Sequence, residues 1–195
     1  MATLYAYGAV DMTSITFGPI ASSANVRFTY PGANFQFNES VYPDAYEILW
    51  GSSPDSNRTT LFGGPGLPFD VNGNVTGGTV NAFSQQVLQG DSWAEVFTMD
   101  DFAIPATVVR TVYGADNANA TLLLHIALGG DDTVLGSDEA DVLLGINGDD
   151  VLRGYMGNDT IDGGFGDDTA VFSGSRNDYV VWKQGDAIAT VGPDG

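Results

Sequence analysis

Carboxylates recur at a fixed spacing in one stretch of the chain, and carboxylates are the side chains that hold hard metal cations. From residue 127, five consecutive nine-residue segments carry aspartate at their sixth position: Asp132, Asp141, Asp150, Asp159 and Asp168. The eighth position of every segment is apolar, and glycine fills the first and the fourth positions in four of the five segments. This period indicates a structural repeat whose aspartates share one chemical role.

The metal that suits such a repeat best is Ca²⁺. Ca²⁺ accepts carboxylates together with backbone carbonyls, whereas Mg²⁺ requires a smaller octahedron and keeps its waters. Transition metals favour nitrogen or sulfur ligands, which the repeat lacks. Glycine-rich turns expose their carbonyls, so the predicted metal site includes eight glycines beside the five aspartates: Gly130, Gly136, Gly145, Gly148, Gly154, Gly157, Gly163 and Gly166.

Short strands joined by turns must position these residues. The first six residues of each segment predict a turn, and the last three predict a strand whose middle, apolar residue points inward. Two segments then make one coil, and loops on the same side stack about 4.8 Å apart. Asp132, Asp150 and Asp168 are therefore expected on one rim, with Asp141 and Asp159 on the other.

The five loops predict about three Ca²⁺ ions, because each ion needs two stacked loops. The loop from Ala127 lacks glycine at its first position, and the loop from Gly136 has Glu139 at its fourth position, which predicts weaker sites there. The fifth-position aspartates are expected only to strengthen the local field: Asp131, Asp149 and Asp167.

The pattern resembles the repeats-in-toxin (RTX) family of hemolysin-type calcium-binding proteins over residues 127–171. The resemblance extends into FSGSRNDYVVW, residues 172–182, which is similar to the strand segment that follows such repeats. It implies a right-handed parallel β-roll and export by type I secretion with a C-terminal signal. The chain stops at GPDG, where family members usually continue, so a fragment or a missing export signal is expected.

The composition excludes several classes of function. The 195 residues carry 25 acidic and 6 basic side chains, a net charge of −19, which argues against binding nucleic acid or an anionic membrane surface. No apolar run is long enough to insert across a bilayer. Without cysteine, disulfides and cysteine-bound zinc are excluded. The single histidine, His125, is expected to be packed within its apolar run rather than catalytic.

Residues 1–126 predict a β-rich domain. Short aromatic and β-branched segments alternate with turn residues, which favours an antiparallel sandwich or barrel, and Asn72-Gly73 predicts a tight hairpin. The segment NATLLLHIAL near its end suits a helix or a buried strand, and we favour a helix that caps the roll and shares its core. The predicted fold is all-β: a sandwich-like domain over 1–126, a parallel β-roll over 127–171 and post-repeat strands over 172–195.

An enzyme is not expected. A paired-histidine metalloprotease motif and a G-x-S-x-G elbow are absent from the sequence, and no spacing pairs the carboxylates of residues 1–126 for glycoside hydrolysis. The aromatic residues of that region are expected to form its core. Trp50 and Trp93 are the residues to test for the alternative, an exposed platform for carbohydrate.

The favoured function is a secreted, extracellular calcium-binding protein whose repeat folds on binding Ca²⁺, with the N-terminal domain serving interaction or assembly. Two alternatives stay open: a self-assembling matrix, surface-layer or filament subunit, and a carbohydrate-binding or carbohydrate-active domain. The expected partners are Ca²⁺, further copies of the chain or an extracellular polysaccharide. The periodic apolar positions disfavour a disordered acidic tail.

Overall fold

The computed structural model describes the whole repeat region and selected parts of the rest of the chain. Described are residues 1–8, 10, 12, 26–30, 35–37, 40–42, 44–50, 57–63, 67–68, 76–89, 92–113, 120–184 and 187–192. The predicted hairpin at Asn72-Gly73 lies outside these residues. Strands dominate the described residues and few helices accompany them, in agreement with a mostly β fold.

The strands of the N-terminal part coincide with aromatic and β-branched segments, because such side chains pack well on a pleated surface. In chain order they are β1 (Thr3–Ala6), β2 (Val26–Tyr30), β3 (Phe35–Phe37), β4 (Ser40–Tyr42), β5 (Asp44–Trp50), β6 (Asn57–Gly63), β7 (Thr79–Gln89), β8 (Ser92–Asp100) and β9 (Ile104–Pro105). The helices α1 (Ala106–Tyr113) and α2 (Ala120–Ala127) follow. Among the described residues, no helix has the length and apolar character needed to cross a membrane.

Short strands occupy the last positions of the nine-residue segments. They are β10 (Thr133–Leu135), β11 (Val142–Leu144), β12 (Val151–Arg153), β13 (Thr160–Asp162) and β14 (Thr169–Ala170). A 3₁₀ turn at Arg176–Asp178 then leads into an antiparallel pair, β15 (Val180–Gln184) and β16 (Ala187–Val191). Each repeat strand is short because glycine-rich residues interrupt the β-formers on both sides.

One sheet joins the two parts of the chain. Within the described residues its order is β14-β12-β10-β1-β8-β7-β6-β5-β2, with β9 beside β7. Pairing is parallel from β14 to β1 and antiparallel from β1 to β2. Strands β11 and β13 pair in parallel in a separate sheet, and β3 pairs with β4. The repeat strands thus alternate between the parallel part of the first sheet and the parallel pair β11 and β13, as in a β-roll. The sandwich over residues 1–126 stays a prediction.

A hydrophobic cluster extends from the antiparallel sheet into the roll. Phe83 packs edge to face on Phe97, with ring centroids 5.6 Å apart, and both side chains are buried. The same cluster includes Leu4 of β1 and the inward residues Val134 and Leu143 of the roll. The sheet and the roll therefore share one core, as the sequence predicts.

Helix α2 forms in the segment for which the sequence favours a helix. Leu124 faces the core, and its carbonyl accepts a hydrogen bond from the amide of Leu128 at 2.7 Å. His125 is exposed, so the expectation of a packed histidine is wrong: helical periodicity turns it away from the face that carries Leu124. The hydrogen-bonded neighbour of the first repeat strand is β1 and not this helix, because β1 offers backbone partners that a helix lacks.

Candidate metal centre

The repeat strands hold the aspartates at the edges of the roll. Each sixth-position aspartate directly precedes a strand, and the second residue of that strand is the apolar eighth position of the segment. Val134, Leu143 and Leu152 are buried at this position, whereas Ile161 is only partly buried and Ala170 is exposed. The apolar side chains fix the strands, and the strands in turn fix the carboxylates beside them.

The sixth-position aspartates form two hydrogen-bonded columns. On one rim the amide of Asp132 donates to Oδ1 of Asp150 at 2.8 Å, and the amide of Asp150 donates to Oδ1 of Asp168 at 3.1 Å. On the other rim the amide of Asp141 donates to Oδ1 of Asp159 at 3.0 Å. The structure thus brings the five aspartates together on the rims that their spacing predicts, while their role as metal ligands stays a prediction.

First-position glycines border the second oxygens of these carboxylates. A Cβ on Gly145 would clash with Oδ2 of Asp150 and with the carbonyl oxygen of Gly163. A side chain would therefore fill a small space lined by one carboxylate oxygen and one main-chain oxygen. The other first-position glycines also lie against the carboxylate of their own segment: Gly136 beside Asp141, Gly154 beside Asp159 and Gly163 beside Asp168.

Three of the four fourth-position glycines are required by the backbone. Gly148, Gly157 and Gly166 have φ of +115°, +117° and +141°, in a region that residues with a side chain rarely adopt. A Cβ on any of the three would also clash with the main chain of the neighbouring loop. The second position turns in the same way, since Ile146 and Tyr155 have φ of +85° and +72°. Sequence reasoning missed this position, because neither residue type favours a positive φ.

The first two loops differ from the last three. Within the described loops 127–132 and 136–141 no residue has a positive φ, and a Cβ on Gly130 would meet nothing within 4 Å. In the second of these loops the amide and the hydroxyl of Ser137 donate to Oδ2 of Asp141 at 2.7 and 3.1 Å. Protein donors already satisfy this oxygen. Weaker metal binding at the first two loops stays a prediction.

Asp150 is buried with one unsatisfied oxygen. The residue is 1% exposed, and its Oδ2 has no hydrogen-bond partner. Burial raises the pKa of this carboxyl; the amide of Asp132 lowers it, and the nearby carboxylates of Asp132, Asp168 and Asp131 raise it. A buried, ionised oxygen without a partner is costly, so Oδ2 requires a cation or a proton beside it.

Asp132 begins the same column and is better supplied with donors. Burial raises the pKa of its carboxyl, whereas the amides of Ala2 and Gly130 and the positive N-terminus lower it. The N-terminal nitrogen of Met1 lies 4.0 Å from Oδ1 of Asp132. The sequence does not indicate these N-terminal partners, which lie far from the repeat along the chain.

The fifth-position aspartates form a further ladder on the outside of the roll. The amide of Asp149 donates to Oδ1 of Asp131 at 3.0 Å, and the amide of Asp167 donates to Oδ1 of Asp149 at 2.9 Å. All three residues are exposed. These hydrogen bonds connect successive loops. The sequence predicts for these residues only an effect on the local field, so this structural role was missed.

The donor set fits a hard cation. Among the described residues, no group of three or more His, Cys, Asp and Glu side chains gathers at one point. The stacked loops instead combine column carboxylates with main-chain carbonyls, as Asp150 and Gly163 do on either side of Gly145. Oxygen ligands of these two kinds, without nitrogen or sulfur, match the preference of Ca²⁺.

A parallel roll with glycine-rich turns and carboxylate columns on both rims defines a β-solenoid repeat with an acidic, oxygen-lined edge. Comparison with protein families identifies the repeat: residues 126–154 and 135–170 each match the family model of the RTX calcium-binding nonapeptide repeat, a model that comprises four copies of the repeat. The match covers residues 126–170 and confirms the RTX repeat that the sequence predicts there. No curated protein and no solved structure matches the chain.

Proposed function

We propose that this chain is a secreted, non-enzymatic calcium-binding protein whose roll, residues 127–171, folds when Ca²⁺ binds outside the cell. One observation carries the proposal: Asp150 is buried, and its unpartnered Oδ2 faces the carbonyl oxygen of Gly163 across Gly145. A cation beside this oxygen satisfies it. The family match supports calcium as that cation.

Folding and cation binding form one event in this proposal, because the ligands come from loops that meet only after they stack. Asp132 and Asp150 lie 18 residues apart in the sequence and share a hydrogen bond, and so do Asp150 and Asp168. These carboxylates repel one another, and the short inward side chains of the roll offset little of that repulsion. Bound Ca²⁺ supplies the compensating positive charge.

The stacked loops provide for about three ions. Loops 127–132, 145–150 and 163–168 supply two adjacent pairs on one rim, and loops 136–141 and 154–159 supply one pair on the other. Both loops of the pair 145–150 and 163–168 have positive φ at their second and fourth positions. We place the strongest site at this pair, where Asp150 also lies.

The location outside the cell follows from the concentration of the ion. Extracellular calcium modules bind at about 10⁻⁴–10⁻³ M, far above the free Ca²⁺ inside a cell. The acidic roll therefore stays open during synthesis and closes after export. The typical secretion of RTX repeat proteins supports this order of events.

A Ca²⁺ titration of the full chain, begun in chelator and followed by far-UV circular dichroism, tests the proposal. We expect the β signal to rise over about 10⁻⁴–10⁻³ M Ca²⁺ and to stay constant in a parallel titration with Mg²⁺. A spectrum that is already fully β in chelator and does not change with Ca²⁺ would contradict the coupling of folding to binding.

Self-assembly is a second candidate function, favoured by the open end of the roll. Among the described strands β14 is the last of its sheet, and both of its residues, Thr169 and Ala170, are exposed. An unpaired strand edge favours pairing with another chain. Light scattering that grows on addition of Ca²⁺ supports assembly, and a constant monomer mass contradicts it. The carbohydrate platform at Trp50 and Trp93 stays a prediction.

A further inference from the structure

The first residues of the chain lie against the first coil of the roll. We call residues 2–8, 10 and 12, which include strand β1, the N-terminal turn because they form one turn of the roll. Its strand β1 pairs in parallel with β10 in one sheet of the roll. In the other sheet, the amide of Val142 donates to the carbonyl of Val10 at 2.7 Å. The carbonyl of Val142 in turn accepts a hydrogen bond from the amide of Met12 at 3.0 Å. The N-terminal turn therefore contributes to both sheets of the roll.

The N-terminal turn makes the same hydrogen bonds to the aspartate columns that one repeat makes to the next. The amide of Ala2 donates to Oδ1 of Asp132, and the amide of Val10 donates to Oδ1 of Asp141 at 2.6 Å. Ala2 and Val10 stand where the repeats have aspartate. The N-terminal turn thus offers donors to the first carboxylate on each rim and places no carboxylate of its own at these two positions.

The side chains of the N-terminal turn continue the core of the roll. Leu4 lies opposite Val134 in the paired strands, and Leu4 and Met12 are both fully buried. The sulfur of Met12 also accepts a hydrogen bond from the amide of Leu144 at 3.2 Å. A solenoid needs a terminal unit that covers its end, and these contacts provide one at the first coil.

Strand β1 belongs at the same time to the antiparallel sheet. On its other edge it pairs with β8, with Leu4 opposite Met99, and the amide of Tyr7 donates to the carbonyl of Val96 at 3.0 Å. A single strand thus contacts the first repeat strand on one side and the sheet of residues 1–126 on the other. Displacing this strand would break hydrogen bonds in both parts.

We propose that the N-terminal turn is a built-in first coil of the roll that couples cation binding in the repeats to the antiparallel sheet. The inference rests on the proposed calcium-dependent folding. The N-terminal turn supplies a stacked neighbour to the first repeat before any ion is bound, so it lowers the Ca²⁺ concentration at which the roll closes. Coupling free energies are reciprocal, so closure of the roll also stabilises β1 and β8.

Hydrogen exchange of the full chain, measured by mass spectrometry in chelator and in millimolar Ca²⁺, tests the coupling. We expect Ca²⁺ to slow exchange in the repeats, in residues 2–8 and in β8. If the repeats are protected by Ca²⁺ while residues 2–8 and β8 exchange at the same rate in both conditions, the coupling is overturned and the proposed function stands. If the repeats themselves gain no protection, both are overturned.

Two matched variants distinguish the contribution of the N-terminal turn to calcium-dependent folding from that of an exposed repeat-loop side chain. Met12→Ala removes a fully buried side chain of the N-terminal turn, and Met156→Ala removes an exposed one from a repeat loop. We expect Met12→Ala to raise the Ca²⁺ concentration at the folding midpoint about threefold. A large-to-small core substitution lowers the folding free energy of the roll, and the binding of about three ions together offsets that loss, so each ion accounts for only part of it. Met156→Ala should shift the midpoint less than Met12→Ala, because its exposed side chain packs against no core. Equal midpoints for the two variants would overturn the inference. If Met12→Ala does not fold, the hydrogen-exchange measurement on the unmodified chain still tests the inference.

Discussion

The amide of Asp132 donates a hydrogen bond to Oδ1 of Asp150, the equivalent residue one coil further along the roll. Through this contact the main chain of one coil orients the carboxylate of the next. Oδ1 of Asp150 thus accepts a main-chain hydrogen bond, whereas Oδ2 is buried without a hydrogen-bond partner. The column is therefore a structural ladder whose carboxylates are held in position for the proposed cation.

Replacement of Asp150 by asparagine should weaken calcium binding selectively. Asp150→Asn keeps an oxygen that can accept the amide of Asp132 but removes the charge beside the proposed site. We expect the affinity for Ca²⁺, measured by isothermal titration calorimetry, to fall at least about tenfold, since even outer-shell partners of a metal contribute that much. Asp149→Asn is the matched control, because it makes the same charge change on the exposed ladder. Equal losses for both variants would show that only the overall charge matters.

Alanine at two equivalent glycines should have very different effects on stability. Gly148 has φ of +115°, and a Cβ there would clash with the main chain at Gly130. Gly130 holds the same position one coil earlier, where a Cβ would meet nothing within 4 Å. We expect Gly148→Ala to lower the free energy of unfolding in Ca²⁺ by about 1–3 kcal/mol through backbone strain, with a further loss from the clash. Gly130→Ala should change it little. Urea denaturation measures both, and similar losses would argue against the loop geometry described here.

The sequence predicts those parts of the site that depend on residue type at a fixed spacing. The two rims and the inward residues of the roll follow from the period of nine, because a carboxylate or an apolar side chain marks each position. The N-terminal turn could not be predicted, since its contacts use main-chain amides of Ala2 and Val10 that almost any residue offers. The positive φ at Ile146 and Tyr155 is equally hidden, because it is imposed by loop stacking against the preference of these residue types.

Acid should stabilise the metal-free roll. The pKa values of Asp132 and Asp150 are raised in the folded state, chiefly by burial, so the folded chain binds more protons than the unfolded chain. Stability then increases as the pH falls through the raised pKa values, down to about pH 4, where the unfolded carboxyls also protonate. Circular dichroism in chelator between neutral pH and about pH 4 measures this effect.

The variant Asp150→Asn serves as the control for the pH effect, because it removes one of the two carboxyls whose pKa is raised and adds no charge. We expect the gain in β signal on acidification to be smaller in this variant than in the unmodified chain. Loss of β structure as the pH falls, in the absence of metal, would contradict the sign of the predicted linkage.

The core of the roll should be less important for stability toward its C-terminal end. Leu143 and Ile161 lie opposite each other in the paired strands β11 and β13, but Leu143 is fully buried and Ile161 only partly. We expect Leu143→Ala to lower the free energy of unfolding in saturating Ca²⁺ by about 2–5 kcal/mol, the usual cost of emptying a core position. Ile161→Ala should cost clearly less, because its side chain already contacts water. Urea denaturation followed by circular dichroism compares the two, and an equal or larger loss at Ile161 would mean that the C-terminal end of the roll is covered in solution, for example by a second copy of the chain.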